Sequence, residues 1–356
     1  MNTDQKPRLH LTRRPKEFKE RSLYPILPPP ERALSIHIDL LIAALPLYLL
    51  SVYHYGFRPI TLALISAVMM MGLDIAVKTV LKKEARFDIS PAVSGVIVAL
   101  FFPASSPLWL PIMTSVFATA VKVGLSYLPR IKLPFELSFS PIAVSLILSH
   151  LLFPGIMNVI PEVGQKLDPF AFSLESFKVI SSSPLDKVIS GFLPDTTTFE
   201  TFFGLSSARI GEISGLLLIV VFLYLLSRHA AKFILPLTFI LTVGVFAYLN
   251  PSLEAASDFI AFDGAIYNIF GSNTFLCAVF LMSRPEGSAK TPLGTAICGV
   301  IGGLTAMLLR GHVSVGLTAL TAVLLIDIIA PVVDIFLKPM PFGGNLAPQT
   351  EDNKSE

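Results

Sequence analysis

Charge is what this sequence has least of. Asp, Glu, Lys and Arg make up 15% of its 356 residues, where a soluble globular domain carries roughly 25%. That shortfall excludes an ordinary water-facing surface, and the 53% hydrophobic content shows what replaces it. Cysteine is nearly absent. Cys277 and Cys298 both lie inside apolar runs and read as small buried hydrophobes. With no CxxC and no Cys/His cluster, nothing points to zinc or an iron–sulfur centre. The six histidines, at 10, 37, 54, 150, 229 and 312, show neither HxxH nor HExxH spacing. A cleavable signal peptide is not expected: the first 34 residues are basic and proline-rich, without a short apolar core.

What the sequence does have is a series of long apolar runs separated by short charged knots, as in a chain surrounded by lipid. The runs predict an all-α polytopic membrane protein with about ten spans, at 36–55, 59–80, 89–103, 108–128, 138–154, 211–228, 232–250, 266–283, 293–310 and 314–336. The third and fifth fall short of the roughly 20 residues needed to cross the hydrocarbon. Short segments are tolerated at that depth where protein covers them.

The basic residues orient the chain. With the amino end inside, inner loops carry Lys78, Lys82, Lys83 and Arg86, then Arg130 and Lys132, Arg228 and Lys232, Arg284 and Lys290, and Lys338. Short outer loops carry only Arg58 and Arg310. Both termini are therefore expected in the cytoplasm. The chain divides into a basic disordered tail (1–34), a first membrane repeat (35–155), an extracytoplasmic loop (156–210), a second repeat (211–338) and a cytoplasmic tail (339–356). The repeats are suggested by Val98–Pro103 followed by Ser106-Pro107, which parallels Ala278–Pro285 followed by Thr291-Pro292. Each break opens the fourth of five spans. Five is odd, so the second copy is inverted, and inverted repeats place binding sites at their interface. Gly294, Gly299, Gly302 and Gly303 read as close helix packing.

Ionisable residues inside spans are the natural site candidates. They are Asp39, Asp74, Lys122, His150, Glu212, Asp327 and Asp334. Asp39 and Asp334 lie near span ends, where they are expected to face water, and Lys78 to snorkel to the inner surface. Asp74, Lys122, Glu212 and Asp327 sit deeper, either in ion pairs or in contact with an ion or ligand. The stretch Arg209–Gly215 resembles a helix start with free backbone N–H groups, a place that favours anions. Before it, Asp195-Thr196-Thr197-Thr198-Phe199-Glu200-Thr201 holds four threonines in seven residues. On residue types alone this is a solvated turn or a helix cap, with Asp195 as the cap.

Taken in order, four of these places resemble the RnfD/NqrB family, which comprises the RnfD component of the Rnf electron-transport complex and the homologous NqrB component of the sodium-pumping NADH:quinone oxidoreductase. Ile210-Gly211-Glu212-Ile213-Ser214 resembles that family's G-x-I-G-E-T-S. Phe280–Pro285 with Thr291-Pro292-Leu293-Gly294 resembles F-M-A-T-D-P and T-P-x-G. Ala330-Pro331-Val332-Val333-Asp334 resembles A-P-L-I-D. Lys122 with Gly124, then Phe139-Ser140-Pro141, resembles its lysine, glycine-rich turn and F-N-P-A. The resemblance covers about 35 to 340 and implies a urea-transporter-like fold of two inverted five-helix repeats. It also implies an FMN held by a phosphoester on an outer-loop threonine, attached by a flavin transferase at D-g-x-[ST]-g-A-[ST]. Asp195, Thr198 and Thr201 match the key positions, with Thr201 as acceptor. Gly211, Glu212 and Lys122 are then expected flavin contacts, and Asp74 and Asp327 ion-path residues. A second, non-covalent flavin is expected between the repeats. Partners would be the other membrane and peripheral Rnf-type subunits in the cell's cytoplasmic membrane, and no nucleic acid. The chain departs from the pattern at Phe199 and Glu200, at Arg284 in place of the acid of T-D-P, and at Ser140 in place of the asparagine. The other readings are a small-solute or ion transporter, and a flavin-free scaffold subunit.

Overall fold

The computed structural model describes residues 30–81, 88–127, 139–171, 179–180, 183–189, 194, 196–250, 261–284 and 288–337. Helix accounts for 74% of the structure. The first half comprises α1 (Pro30–Tyr55), α2 (Arg58–Val80), α3 (Ser90–Leu100), α4 (Trp109–Tyr127) and α5 (Pro141–Leu152). A connecting region follows, with α6 (Pro154–Met157), the two-residue strands β1 (Ile160–Pro161) and β2 (Val179–Ile180), α7 (Pro184–Ile189) and α8 (Thr198–Phe203). The strands pair antiparallel, Ile160 opposite Ile180. The second half comprises α9 (Gly215–Ser227), α10 (Ile234–Leu249), α11 (Ala261–Phe270), α12 (Thr274–Cys277) with a π-helical turn at Ala278–Met282, α13 (Pro292–Leu309) and α14 (Val315–Phe336).

Helix starts follow local chemistry. Ser140 caps α5, Ser214 caps α9 and Thr291 caps α13, each side chain accepting from an N–H three residues on. Proline follows the cap at 141 and 292, where its missing N–H costs nothing. α1 begins at Pro30, inside the segment expected to be a disordered tail. Residues 1–29 and 338–356 lie outside the described residues.

Among the described residues, four helices are long and apolar enough to cross a membrane: Leu34–Tyr55 of α1, α2, α13 and α14. Phe262–Phe270 with Thr274–Met282 makes a fifth if the pair, bent by 51°, is one span. The apolar stretches of α3, α4 (Trp109–Leu125), α5, α9 and α10 are shorter. The molecule is a polytopic membrane protein. Its eighth expected span, 266–283, starts earlier than read and is interrupted at 271–273. Hydropathy alone did not reveal that break, because three residues interrupt the helix without ending the apolar stretch.

At about 1.5 Å per residue, α3 covers about 17 Å of a hydrocarbon layer about 30 Å thick. The chain beyond it loses helical hydrogen bonds at membrane depth, and backbone from the other half replaces them. Ile210 N–H donates to Phe102 O (3.1 Å) and Gly211 N–H to Leu100 O (2.8 Å). The two interruptions thus satisfy each other, as irregular backbone in a membrane must. Within the halves, α2 packs on α3 and α4, and α10 on α11 and α13. Contacts between the halves run through α1 against α9 and α5 against α14. Gly299 and Gly303 face Leu235–Thr242 of α10, as close packing required.

Candidate functional site

The expected site residues separate into three clusters. The first is the threonine segment. Asp195 lies outside the described residues, and the cap of α8 is Thr197. Its hydroxyl accepts from Glu200 N–H (3.3 Å), while Glu200 Oε2 accepts from Thr197 N–H (2.8 Å). This is a reciprocal capping box. Thr198 donates to Asp263 of α11 (3.0 Å), and Tyr267 of α11 donates to Thr196 O. Thr201 is 2% exposed, its hydroxyl turned back onto Thr197 O (3.3 Å). The face of α8 that looks outward carries Phe199 and Phe203, in ring contact at 4.7 Å.

The second cluster surrounds the break before α9. Tyr55 donates to Ala208 O (3.0 Å) and Ser51 to Ile210 O (2.9 Å), pinning the segment to the end of α1. The helix start expected at Gly211 is displaced to Gly215. Gly211 N–H is taken by Leu100 and Glu212 N–H by Arg209 O (3.0 Å), so the expected row of free donors does not form there. Glu212 is buried and paired with buried Arg209 at 3.4 Å. His150, Asn273 and Gly316 border this pair. Arg209, Asn273 and Gly316 were not foreseen as site residues. Arg209 had a readable signal, an arginine three residues before an acid; Asn273 and Gly316 had none.

The third cluster lies further along the helices. Asp74 is clasped by Lys78 (2.6 Å) and Lys122 (2.8 Å). It lies about 24 Å along α2 from Arg58, whose guanidinium holds the connecting region at Asp168 O (2.7 Å) and Ala171 O (3.1 Å). Lys122 is therefore not brought to Thr201. Asp327 accepts from Ser140 N–H (2.8 Å), and Arg284 donates to Ser140 Oγ (2.5 Å) within electrostatic reach of Asp327. The two departures from the family pattern, Ser140 and Arg284, touch one another. We expect Arg284→Ala to lower stability by about 1–3 kcal/mol, the range for a charged hydrogen bond. Arg284→Asp should cost more, because it sets a second carboxylate near Asp327. Unfolding in detergent micelles reads both; an Asp variant as stable as wild type would refute the contact.

Asp39, expected to face water, is instead buried, bonded to Arg228 (3.1 Å) and Tyr224 (3.3 Å). Burial is tolerable here because Arg228 supplies the countercharge. Asp334, half-buried, accepts from Lys290 N–H (2.8 Å). Arg58 and Arg310 are clamps. Arg58 is fully buried. Arg310 fills the α11–α12 break, donating to Asn268, to Ser272 (3.4 Å) and to Thr274 (2.7 Å). Among the described residues, no group of three or more His, Cys, Asp or Glu is placed to hold a metal.

A lipid-embedded helical core whose interrupted segments meet around a buried ion pair defines a class of polytopic membrane protein with broken helices. The chain belongs to the NQR2, RnfD, RnfE family, whose model matches residues 24–127 and 135–343. It is 24% identical to the D component of the Na(+)-translocating ferredoxin:NAD(+) oxidoreductase complex of Acetobacterium woodii, over 87% of this chain and 90% of that one. It is 23% identical to the D component of the ion-translocating oxidoreductase complex of Pectobacterium carotovorum (88% and 95%) and to that of Stutzerimonas stutzeri (87% and 92%).

Proposed function

We propose that this chain is the RnfD-type membrane component of a multi-subunit, ion-translocating electron-transport complex. The observation that carries the reading is the family match, which runs through both halves of the chain and not through one motif. The names of the relatives supply the kind of complex. The ten-span reading, in two inverted five-helix repeats, is supported by parallel packing: α2 with α4 as α10 with α13, and α4 with α5 as α13 with α14. The basic inner loops support a cytoplasmic membrane location with both termini inside. The partners are then the other membrane and peripheral subunits.

Covalent FMN at Thr201 is the finer part of this reading. Motif order and the outer position of the segment support it. The folded residues do not fit the group: a phosphoester needs an outward hydroxyl, and a transferase must reach it. Thr201 is buried, bonded into its own helix, and preceded by a bulky Phe199 and a charged Glu200. No electron step is assigned through it. This geometry favours a second reading, a flavin-free member of the same complex.

Two measurements separate these. Purification of the tagged chain from its native membrane should bring down flavin- and iron–sulfur-containing subunits. Recovery alone, with small-solute permeation in liposomes, would favour a transporter and overturn the reading. Co-expression with a flavin transferase, followed by in-gel fluorescence, should leave the wild-type band colourless. A fluorescent band lost in Thr201→Ala would establish the flavin at Thr201; loss in Thr198→Ala alone would move the acceptor.

A further inference from the structure

We propose that the junction around Gly316 binds a water-sized neutral molecule, water itself in the resting protein. Three buried polar atoms there lack a protein partner: His150 Nε2, Arg209 Nε and Asn273 Oδ1. Their side chains are 1–2% exposed. All three residues lie against Gly316. A methyl group on Gly316 would lie 2.6 Å from both Arg209 Nη2 and His150 Nε2. Asn273 donates to Gly316 O (2.6 Å).

The hydrogen-bond roles specify the guest. His150 Nδ1 lies 3.0 Å from Leu146 O and donates to it, which leaves Nε2 as a lone-pair acceptor. Asn273 Oδ1 is a second acceptor, and Arg209 Nε–H is a donor. A guest that satisfies all three must donate twice and accept once. A metal cation has no donors and meets the Arg209 charge. An anion meets two lone pairs and the Glu212 carboxylate, 3.4 Å from Arg209. An ammonium ion has no acceptor for Arg209. Water supplies two donors and two acceptors. The backbone around the site is the interrupted kind, at 100–102, 209–214 and 271–273, which is tolerated at membrane depth where it is covered or lines a cavity. The site lies between the two halves and does not depend on whether the complex carries a flavin on this chain.

The test uses the full-length chain in lipid bilayers, labelled with ¹⁵N-histidine and read by solid-state NMR. His150→Gln assigns the His150 signals. Wild type should show an unprotonated Nε2 that receives magnetisation from water protons, and Gly316→Ala should lose that transfer. The atoms that the added methyl meets are side-chain ends, so the variant is expected to fold, checked by an unchanged elution profile. Absence of water contact in wild type overturns the proposal whatever the variant does. A contact that persists unchanged in a folded Gly316→Ala, or density for an ion or organic molecule at the site, overturns it as well.

Discussion

Replacing Glu212 by alanine is expected to cost about 3–5 kcal/mol of stability, because it leaves a buried guanidinium without its countercharge. Both partners are 2–3% exposed, so solvent cannot take the place of the lost carboxylate. The surroundings offer Arg209 little else: His150 presents a neutral lone pair, and the nearby backbone groups are engaged with Leu100 and Phe102. The double variant Arg209→Met with Glu212→Leu should lose less than either single variant, since an apolar pair of similar volume often substitutes for a buried ion pair. Unfolding midpoints of wild type, Arg209→Met, Glu212→Leu and the double variant in mixed micelles complete the cycle, with Glu212→Ala measured beside them. A Glu212→Ala protein within about 1 kcal/mol of wild type would mean that the pair contributes nothing.

Phe199→Gly together with Glu200→Ala should release the α8 turn and uncover Thr201. Glu200 closes the capping box, and its loss costs roughly 1 kcal/mol; glycine in a helix costs about another 1 kcal/mol. About 2 kcal/mol on a one-turn helix raises its open population by roughly 30-fold. The amides of Thr201 and Gly204, bonded to Thr197 O (3.0 Å) and Glu200 O (2.9 Å), should exchange with deuterium faster by that factor. In the presence of a flavin transferase, the double variant should gain a fluorescent band that wild type lacks. Equal exchange in wild type and variant would show that the capping box does not hold the segment shut.

Much of the fold was readable because hydropathy is a local property. The apolar runs at 36–55, 59–80 and 314–336 correspond to α1, α2 and α14 within a few residues. Thr291-Pro292 marked the start of α13, where the structure shows a capping threonine followed by proline. The break at 271–273 was not readable, because Gly271, Ser272 and Asn273 interrupt the helix without ending the apolar stretch. Asp39 was misread for a related reason. Its distance from the span end was visible in the sequence, but its partner Arg228 lies 189 residues away.

The family resemblance identified Thr201 by alignment, and only the fold showed its hydroxyl turned inward. The sequence alone determined that this chain lives in lipid, roughly where its helices run and which family it belongs to, since partition into a bilayer is summed residue by residue along the chain. Tertiary structure decided which charges are neutralised and by whom. Ser140 meets Arg284 across 144 residues and Asp327 across 187. Whether a buried charge is tolerated depends on a counter-group within about 4 Å, and no one-dimensional pattern contains that distance.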